Sequence, residues 1–305
     1  MILTVCPNPC IDCTIEVENL DVGRLSRIDN KIENCAGKAC NTAIGIARLG
    51  EKVFATGFLF EQRARTFLNY LDRENVPCEF VMNKGAIRVN YKIIDSKSML
   101  TELNDSGDTV TQKKQEELLS LLERVGKDAA VTVISGSLPK GVAADYYNRL
   151  VSAAKGYVIV DCEGEKLSAA LKAGVYMVKP NLYELETFNK ENYFSHADML
   201  KGCYKILDRG AQKVLLSMGR MGAILTDGHK NLYCKSENVP VNSTVGAGDS
   251  MIAAASIALK KAMDDEEILR CAVAAGTASI TTQGTSLFTK EKYSEIYKKL
   301  KIQEI

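Results

Sequence analysis

A single α/β domain on a mostly parallel sheet, with a small strand-built lid standing off it, is the architecture this 305-residue sequence predicts. Three observations carry that expectation. Short apolar, β-branched runs alternate with helical patterns, as β-α units feeding a parallel sheet do. Two other segments alternate apolar and polar residues, as half-exposed antiparallel strands do. No Pro/Ser-rich linker and no internal repeat divides the chain, so residues 1–305 read as one unit.

The opening "MILTVCPNPCIDCTIEV" lacks the basic and long apolar regions of a secretory leader and reads as a first core strand. "KVFATGFL" (52–59), "AAVTVISG" (129–136), "YVIVDC" (157–162), "VYMVKPN" (175–181) and "KVLLSMG" (213–219) read as buried strands. Helical patterns fall between them at 41–50, 66–75, 113–125, 143–156 and 199–210, several closing on glycine. The final third, from "SMIAAASIALKKAM" to "KEKYSEIYKKLK", is mainly helical. The two alternating segments, about 11–34 and 85–104, are separated by β-α material and together predict a small antiparallel sheet.

Composition excludes several function classes. Hydrophobic residues at 46% and charged residues at 25% describe a soluble globular chain. A net charge of +1 gives no reason to expect nucleic acid or an acidic membrane as partner. No apolar run approaches bilayer-spanning length. Ten cysteines without a leader point to reduced thiols and a cytoplasmic location. Cys10 and Cys13 form a C-x-x-C, but positions three apart on a strand face opposite sides, so they read as small core residues. Only His196 and His229 are available, which argues against a Ser-His-Asp hydrolase or a histidine metal centre.

Two stretches carry chemistry. In "STVGAGDSMIAAA" (243–255), Gly246 and Gly248 permit a tight turn and let backbone N–H groups approach a ligand. A helix starting near Asp249 or Ser250 adds its N-terminal partial charge there, making an anion site with Asp249 beside it as a base. The same residues also suit an ordinary capped turn, and the pattern leaves both readings open. In "NCAGKACNTAIGIARLG" (34–50), Gly37, Lys38 and Asn41 suit contacts to a polyol, although taken alone the stretch reads as an N-cap before an amphipathic helix.

"STVGAGDSMIAAAS" together with "AGKACNTA" resembles the paired signatures of the PfkB sugar kinases, in the ribokinase-like superfamily. "SGSLPKG" (135–141), "VDCEGEKL" (160–167), "KPNLYELE" (179–186), "LLSMGRMGAIL" (215–225) and "AAGTASITTQGT" (274–285) follow in the family's order, and the phosphosugar branch is the most similar. The resemblance implies a three-layer α/β/α domain with ATP and Mg²⁺ as cofactors. It implies Asp249 as catalytic base, with the N–H groups of Gly246, Ala247, Gly248 and Asp249 as anion hole. It implies Asn181 and Glu184 around water and Mg²⁺, Lys179 at the nucleotide phosphates, and Ser217, Gly219, Gly222, Gly276 and Ser279 at the adenine. The sugar falls to Asp12, Gly37, Lys38 and Asn41, and a substrate phosphate to Arg24, Arg88 and Ser137, with Arg27 nearby.

The acceptor expected from this pattern is fructose 1-phosphate, with tagatose 6-phosphate, fructose 6-phosphate, an unphosphorylated sugar or nucleoside, or an idle sensor as alternatives. A homodimer through the lid is expected as well. Phe60 and Glu61 replace two glycines of the family pattern, and Ala36 and Ala39 replace others. Bulk at Phe60 is expected to narrow or re-aim the sugar end of the pocket.

Overall fold

The apolar runs of the sequence become the middle of one large sheet. The computed structural model describes residues 1–282 and 287–305. The chain runs β1 (Ile2–Cys6), β2 (Cys10–Glu16), β3 (Asn30–Ala36), α1 (Lys38–Arg48), β4 (Val53–Gln62), α2 (Ala64–Arg73), β5 (Cys78–Ala86), β6 (Arg88–Ile94), β7 (Leu100–Asn104) and α3 (Gln112–Val125). It continues β8 (Val131–Ser135), α4 (Tyr146–Ala153), β9 (Tyr157–Asp161), α5 (Gly164–Ala173), β10 (Val175–Val178), α6 (Leu182–Asn189), α7 (His196–Leu207) and β11 (Ala211–Ser217). After β12 (Ala223–Thr226) and β13 (Asn231–Cys234) come α8 (Ala247–Lys260), α9 (Asp265–Ser279), α10 (Lys290–Tyr297) and β14 (Ile302–Glu304).

The large sheet has the order β14-β13-β12-β11-β10-β9-β8-β1-β4-β5. From β5 to β11 every pairing is parallel, and β12, β13 and β14 close that end in antiparallel register. The opening run is the buried strand β1, paired with β4 and β8. Helices α1, α8, α9 and α10 form one packed group, while α3, α4, α5, α6 and α7 form a second chain of neighbours. From Asp249 to Leu259, α8 is buried on all sides, as expected of a helix without a polar face. The short β14 had no sequence signal: three residues at the chain end are too few for a period.

The small sheet, ordered β3-β2-β6-β7, arises from the two alternating segments. Its outer pairs are antiparallel, while the central β2–β6 pair is parallel. The reason is topological. β2 follows β1, and β6 follows β5, so each carries on from a strand of the parallel sheet. Strand structure stops at Glu16 and resumes at Asn30; residues 17–29 form a loop. Cys13, Ile15 and Val17 make a small apolar core on one face of this sheet, with Val89 and Ile93 against it. Cys10 and Cys13 lie on opposite faces, both buried, and all ten cysteines are free thiols.

Candidate active site

Two helix N-termini meet where the parallel strands end. Gly37 is the N-cap of α1, at φ 132°, where a Cβ would lie 2.9 Å from Cys6 Sγ. Gly246 is the N-cap of α8, at φ 82°, so that helix starts two residues earlier than Asp249, the first of its expected starting points. Neither helix has a side-chain cap. Asn41 and Asp249 therefore sit inside their helices and are free for each other. Asn41 Nδ2 donates to Asp249 Oδ2 at 2.8 Å, and Thr42 Oγ1 donates to the Asp249 backbone carbonyl at 3.4 Å. The capped-turn alternative fails at both stretches.

Asp249 is buried. Burial pushes its carboxyl up, the nearby Asp161 charge adds to that, and the result is about 6 against the opposing pull of Lys38, the Asn41 bond and Lys179. A carboxylate so placed is matched to a proton-accepting role near neutral pH. Lys179, itself buried, lies over the first turn of α8: a Cβ on Gly248 would stand 2.9 Å from its Nζ. The missing side chain at 248 thus opens a cradle between a cationic amine and helix N–H groups, as an anion requires.

Asp161 was absent from the sequence-based site. It ends β9 and is buried with Lys179 Nζ at 3.7 Å and Lys38 Nζ at 3.4 Å from Oδ1. Burial raises its carboxyl, but Lys179 and Lys38 outweigh that and hold it below the usual range. Asp161 in turn is the main cause that raises Lys38. The only hint was its place at a strand C-terminus, where ligands bind in open α/β sheets.

Asn181 and Glu184 form a reciprocal capping box on α6. Asn181 Oδ1 accepts from Glu184 N, and Glu184 Oε2 accepts from Asn181 N, both at 2.8 Å. This leaves Glu184 Oε1 turned to Lys38 Nζ, 4.0 Å away. The N-x-x-E pattern therefore does two jobs, starting a helix and presenting one carboxylate oxygen to the cleft.

Asp12 is buried in the lid sheet. Its Oδ2 accepts from Lys92 Nζ at 2.8 Å and its Oδ1 from Asn90 Nδ2 at 3.2 Å. Arg88 donates four hydrogen bonds, two to the Asn8 carbonyl (3.2 and 3.3 Å), one to Asn90 Oδ1 and one to the Asp105 carbonyl, both 3.0 Å. Ser137 accepts from Asn8 Nδ2 at 3.2 Å. Asn8, Asn90 and Lys92 are additions to the expected set. The two-residue spacing of Arg88, Asn90 and Lys92 on β6 was the available signal, since alternate strand residues share a face.

The sequence profile of the pfkB family carbohydrate kinases matches residues 6–292. This chain belongs to the pfkB family of carbohydrate kinases. A 1-phosphofructokinase of Vibrio cholerae is 28% identical over all of this chain and 97% of its own length. A tagatose-6-phosphate kinase of Staphylococcus epidermidis is 29% identical, with both chains fully covered. The crystal structure of Escherichia coli phosphofructokinase-2 with potassium superimposes at a TM-score of 0.92, covers 98% of each chain and is 30% identical. The fold is the ribokinase-like α/β fold, and the protein is a kinase.

The other expected residues of the kinase divide between neighbours of this cluster, such as Ser217 bridged to Asn181, and the exposed lid loop. Arg24 and Arg27 stand on the exposed 17–29 loop and make no side-chain hydrogen bond or ion pair among the described residues. Ser217 is half-buried with its hydroxyl on the Pro180 carbonyl, and Gly219 is exposed in a single 3₁₀ turn. Gly222 has a packing reason of its own: a Cβ there would meet the Cys234 carbonyl at 1.9 Å. Gly276 is buried where α9 meets α8, 2.7 Å from Met251 Cγ by the same measure, and Ser279 Oγ is bonded to the Gly276 carbonyl. Residues 283–285 of the "AAGTASITTQGT" segment lie outside the described residues. Phe60 has no exposed surface and belongs to the main core, so its bulk fills protein interior and the expected narrowing of the pocket does not arise there. Glu61 is the exposed one of the pair.

Proposed function

We propose that this kinase moves the γ-phosphoryl group of ATP to a hydroxyl of a phosphorylated ketohexose, fructose 1-phosphate first, giving fructose 1,6-bisphosphate. The observation that carries the reading is the Asn41–Asp249 pair at the mouth of the α8 cradle, with Asp249 raised to about 6. Asp249 takes the proton of the acceptor hydroxyl as that oxygen bonds to the γ-phosphorus and the bond to ADP breaks. The N–H groups of Gly246, Ala247, Gly248 and Asp249 and the Lys179 amine face the charge that develops on the transferring group. With no side chain at Gly248, Lys179 Nζ comes close to the first turn of α8, so that amine and the helix N–H groups can face the same anion.

Glu184 Oε1 and Asn181 suit a hydrated Mg²⁺, which keeps several waters and takes few protein ligands; bound there, it neutralises nucleotide phosphate charge. Ser217, Gly219 and Gly222 are kept as the adenine side of the reading. Gly276 and Ser279 are set behind it, shaping α9.

Arg88, Ser137 and the lid cations support a phosphorylated acceptor over a free sugar. The Staphylococcus epidermidis relative supports tagatose 6-phosphate as the second reading. Residues 1–305 are read as one domain with its lid. A lid-to-lid homodimer is supported by Val22 (100% exposed), Leu25 (84%) and Ile28 (55%) on a loop that also carries Arg24, which such a dimer brings to the partner's site. Ten free thiols support a cytoplasmic place, and no described helix is long and apolar enough to cross a membrane. ADP release measured across fructose 1-phosphate, fructose 6-phosphate, tagatose 6-phosphate, fructose and ribose tests the reading. Fructose 1-phosphate is expected to give the highest kcat/KM; a flat response to all five overturns it in favour of an idle sensor.

A further inference from the structure

Asn8 sits in the three-residue crossing from β1 to β2, 3% exposed, and its contacts run to Arg88 and Ser137, two of the residues expected at the substrate phosphate. Its backbone carbonyl accepts from Nε and Nη2 of Arg88, which fixes the plane of the guanidinium. Its side-chain Nδ2 donates to Ser137 Oγ at 3.2 Å and to the Ser106 carbonyl at 3.4 Å. A hydroxyl that accepts there has its own proton left to give to a ligand oxygen. Asn8 Oδ1 is buried and finds no hydrogen-bond partner among the described residues. Buried acceptors are normally paired, so one left open beside a ligand site points to a donor brought by the ligand. Gly107 leaves that acceptor uncapped: a Cβ there would stand 3.4 Å from both Asn8 Oδ1 and Arg88 Cβ.

We propose that Asn8 aligns Arg88 and Ser137 on the acceptor's phosphate and that its Oδ1 accepts a hydroxyl near the phosphate-bearing carbon. The proposal rests on the phosphosugar reading above. A fully ionised phosphate has no proton to offer Oδ1, so the matching group is a sugar hydroxyl. Arg88 already gives four of its N–H groups to the protein. It therefore offers the phosphate a single aligned donor, where a free guanidinium offers a two-pronged fork. Ser137 then becomes the second prong, and Asn8 sets the distance between the two.

Asn8→Asp keeps the shape but replaces the donor to Ser137 with a charged acceptor; Asn8→Ser shortens the side chain without charge and stands in should the first variant fold poorly. Each is assayed with the wild type's preferred sugar phosphate, with ATP, and with inorganic phosphate as a competitor of the sugar phosphate. The expected result is a sugar-phosphate KM at least ~10-fold higher, phosphate inhibition weakened by a similar factor, and kcat and the ATP KM within about twofold. An unchanged sugar-phosphate KM overturns the assignment. So does an equal loss for ATP, which marks a general structural defect. A wild type inactive on every sugar phosphate overturns the phosphosugar reading itself, and that shows before any variant is made.

Discussion

Where the helix N-termini meet the strand ends, Asp249, Lys179 and Asp161 are buried and tied to Asn41 and Lys38 by short contacts. In the lid, the loop carrying Arg24 and Arg27 is exposed and includes Val22 with no contact to cover it. The first region is complete within one chain. The second is arranged as though waiting for substrate or a second subunit. The residues proposed for the reaction type thus sit on sheet ends and helix N-termini, whereas two of the arginines proposed for the acceptor, Arg24 and Arg27, stand on an exposed loop.

The strongest way to break this contrast is Asp249→Asn, expected to lower kcat by about 10³-fold or more while the ATP KM stays near wild type. The same variant should melt higher. Asp249 is raised from 3.8 to about 6 in the folded protein. Its ionised form therefore opposes folding, with no effect below pH ~4 and a full one above pH ~6, on the order of 2–3 kcal/mol. Calorimetry at pH 7 checks it; a lower melting temperature removes Asp249 from its buried setting.

Gly248→Ala comes next. The added carbon displaces Lys179 Nζ from the cradle, and a loss of about 10²-fold in kcat is expected, the scale of one oxyanion-hole donor. The fold should be untouched, since alanine suits the first turn of a helix. Turnover close to wild type would mean that the cradle holds no transferring group.

A pH profile sharpens the picture further. With the base at about 6, kcat/KM is expected to fall roughly tenfold per unit below that pH and to level off above it. A flat profile down to pH 5 would remove Asp249 as the base.

The lid should respond more gently. Val22→Ser with Leu25→Ser is expected to dissociate the dimer in sedimentation and to raise the sugar-phosphate KM a fewfold with little change in kcat. A monomeric wild type would break this side of the contrast.

What the sequence made legible follows the same division. Asp249, Asn41 and the strand-helix alternation lie in local patterns, each readable within a dozen residues. Local pattern alone left the cap and the cradle tied at Asp249 and favoured the cap at Asn41, because Asn and Asp serve both; only the helix starts at Lys38 and Ala247 separate them. Asp161, Asn8 and Lys92 were missed for another reason, their local signals being weak. Their partners are distant in the chain, Asp12 and Lys92 standing 80 positions apart, and that pairing depends on a parallel β2–β6 register that alternation cannot specify. Phe60 shows the reverse error: a departure from a family pattern was assigned to the pocket, while β4 is buried on both faces there and the ring belongs to the core.

The chain passes between the two sheets four times, through Pro7–Pro9, Gly37, Ile87 and Asp105–Thr111. Three of these crossings are one to three residues long, too short to let the small sheet slide. It can only tilt, like a lever with its fulcrum at the crossings. Asn8, Gly37, Arg88 and Gly107 lie on or beside that fulcrum, so of the groups assigned to the acceptor these would hardly travel if the lever swung. The 17–29 loop is at the far end of the arm, and a small rotation at the sugar becomes a large displacement at Arg24.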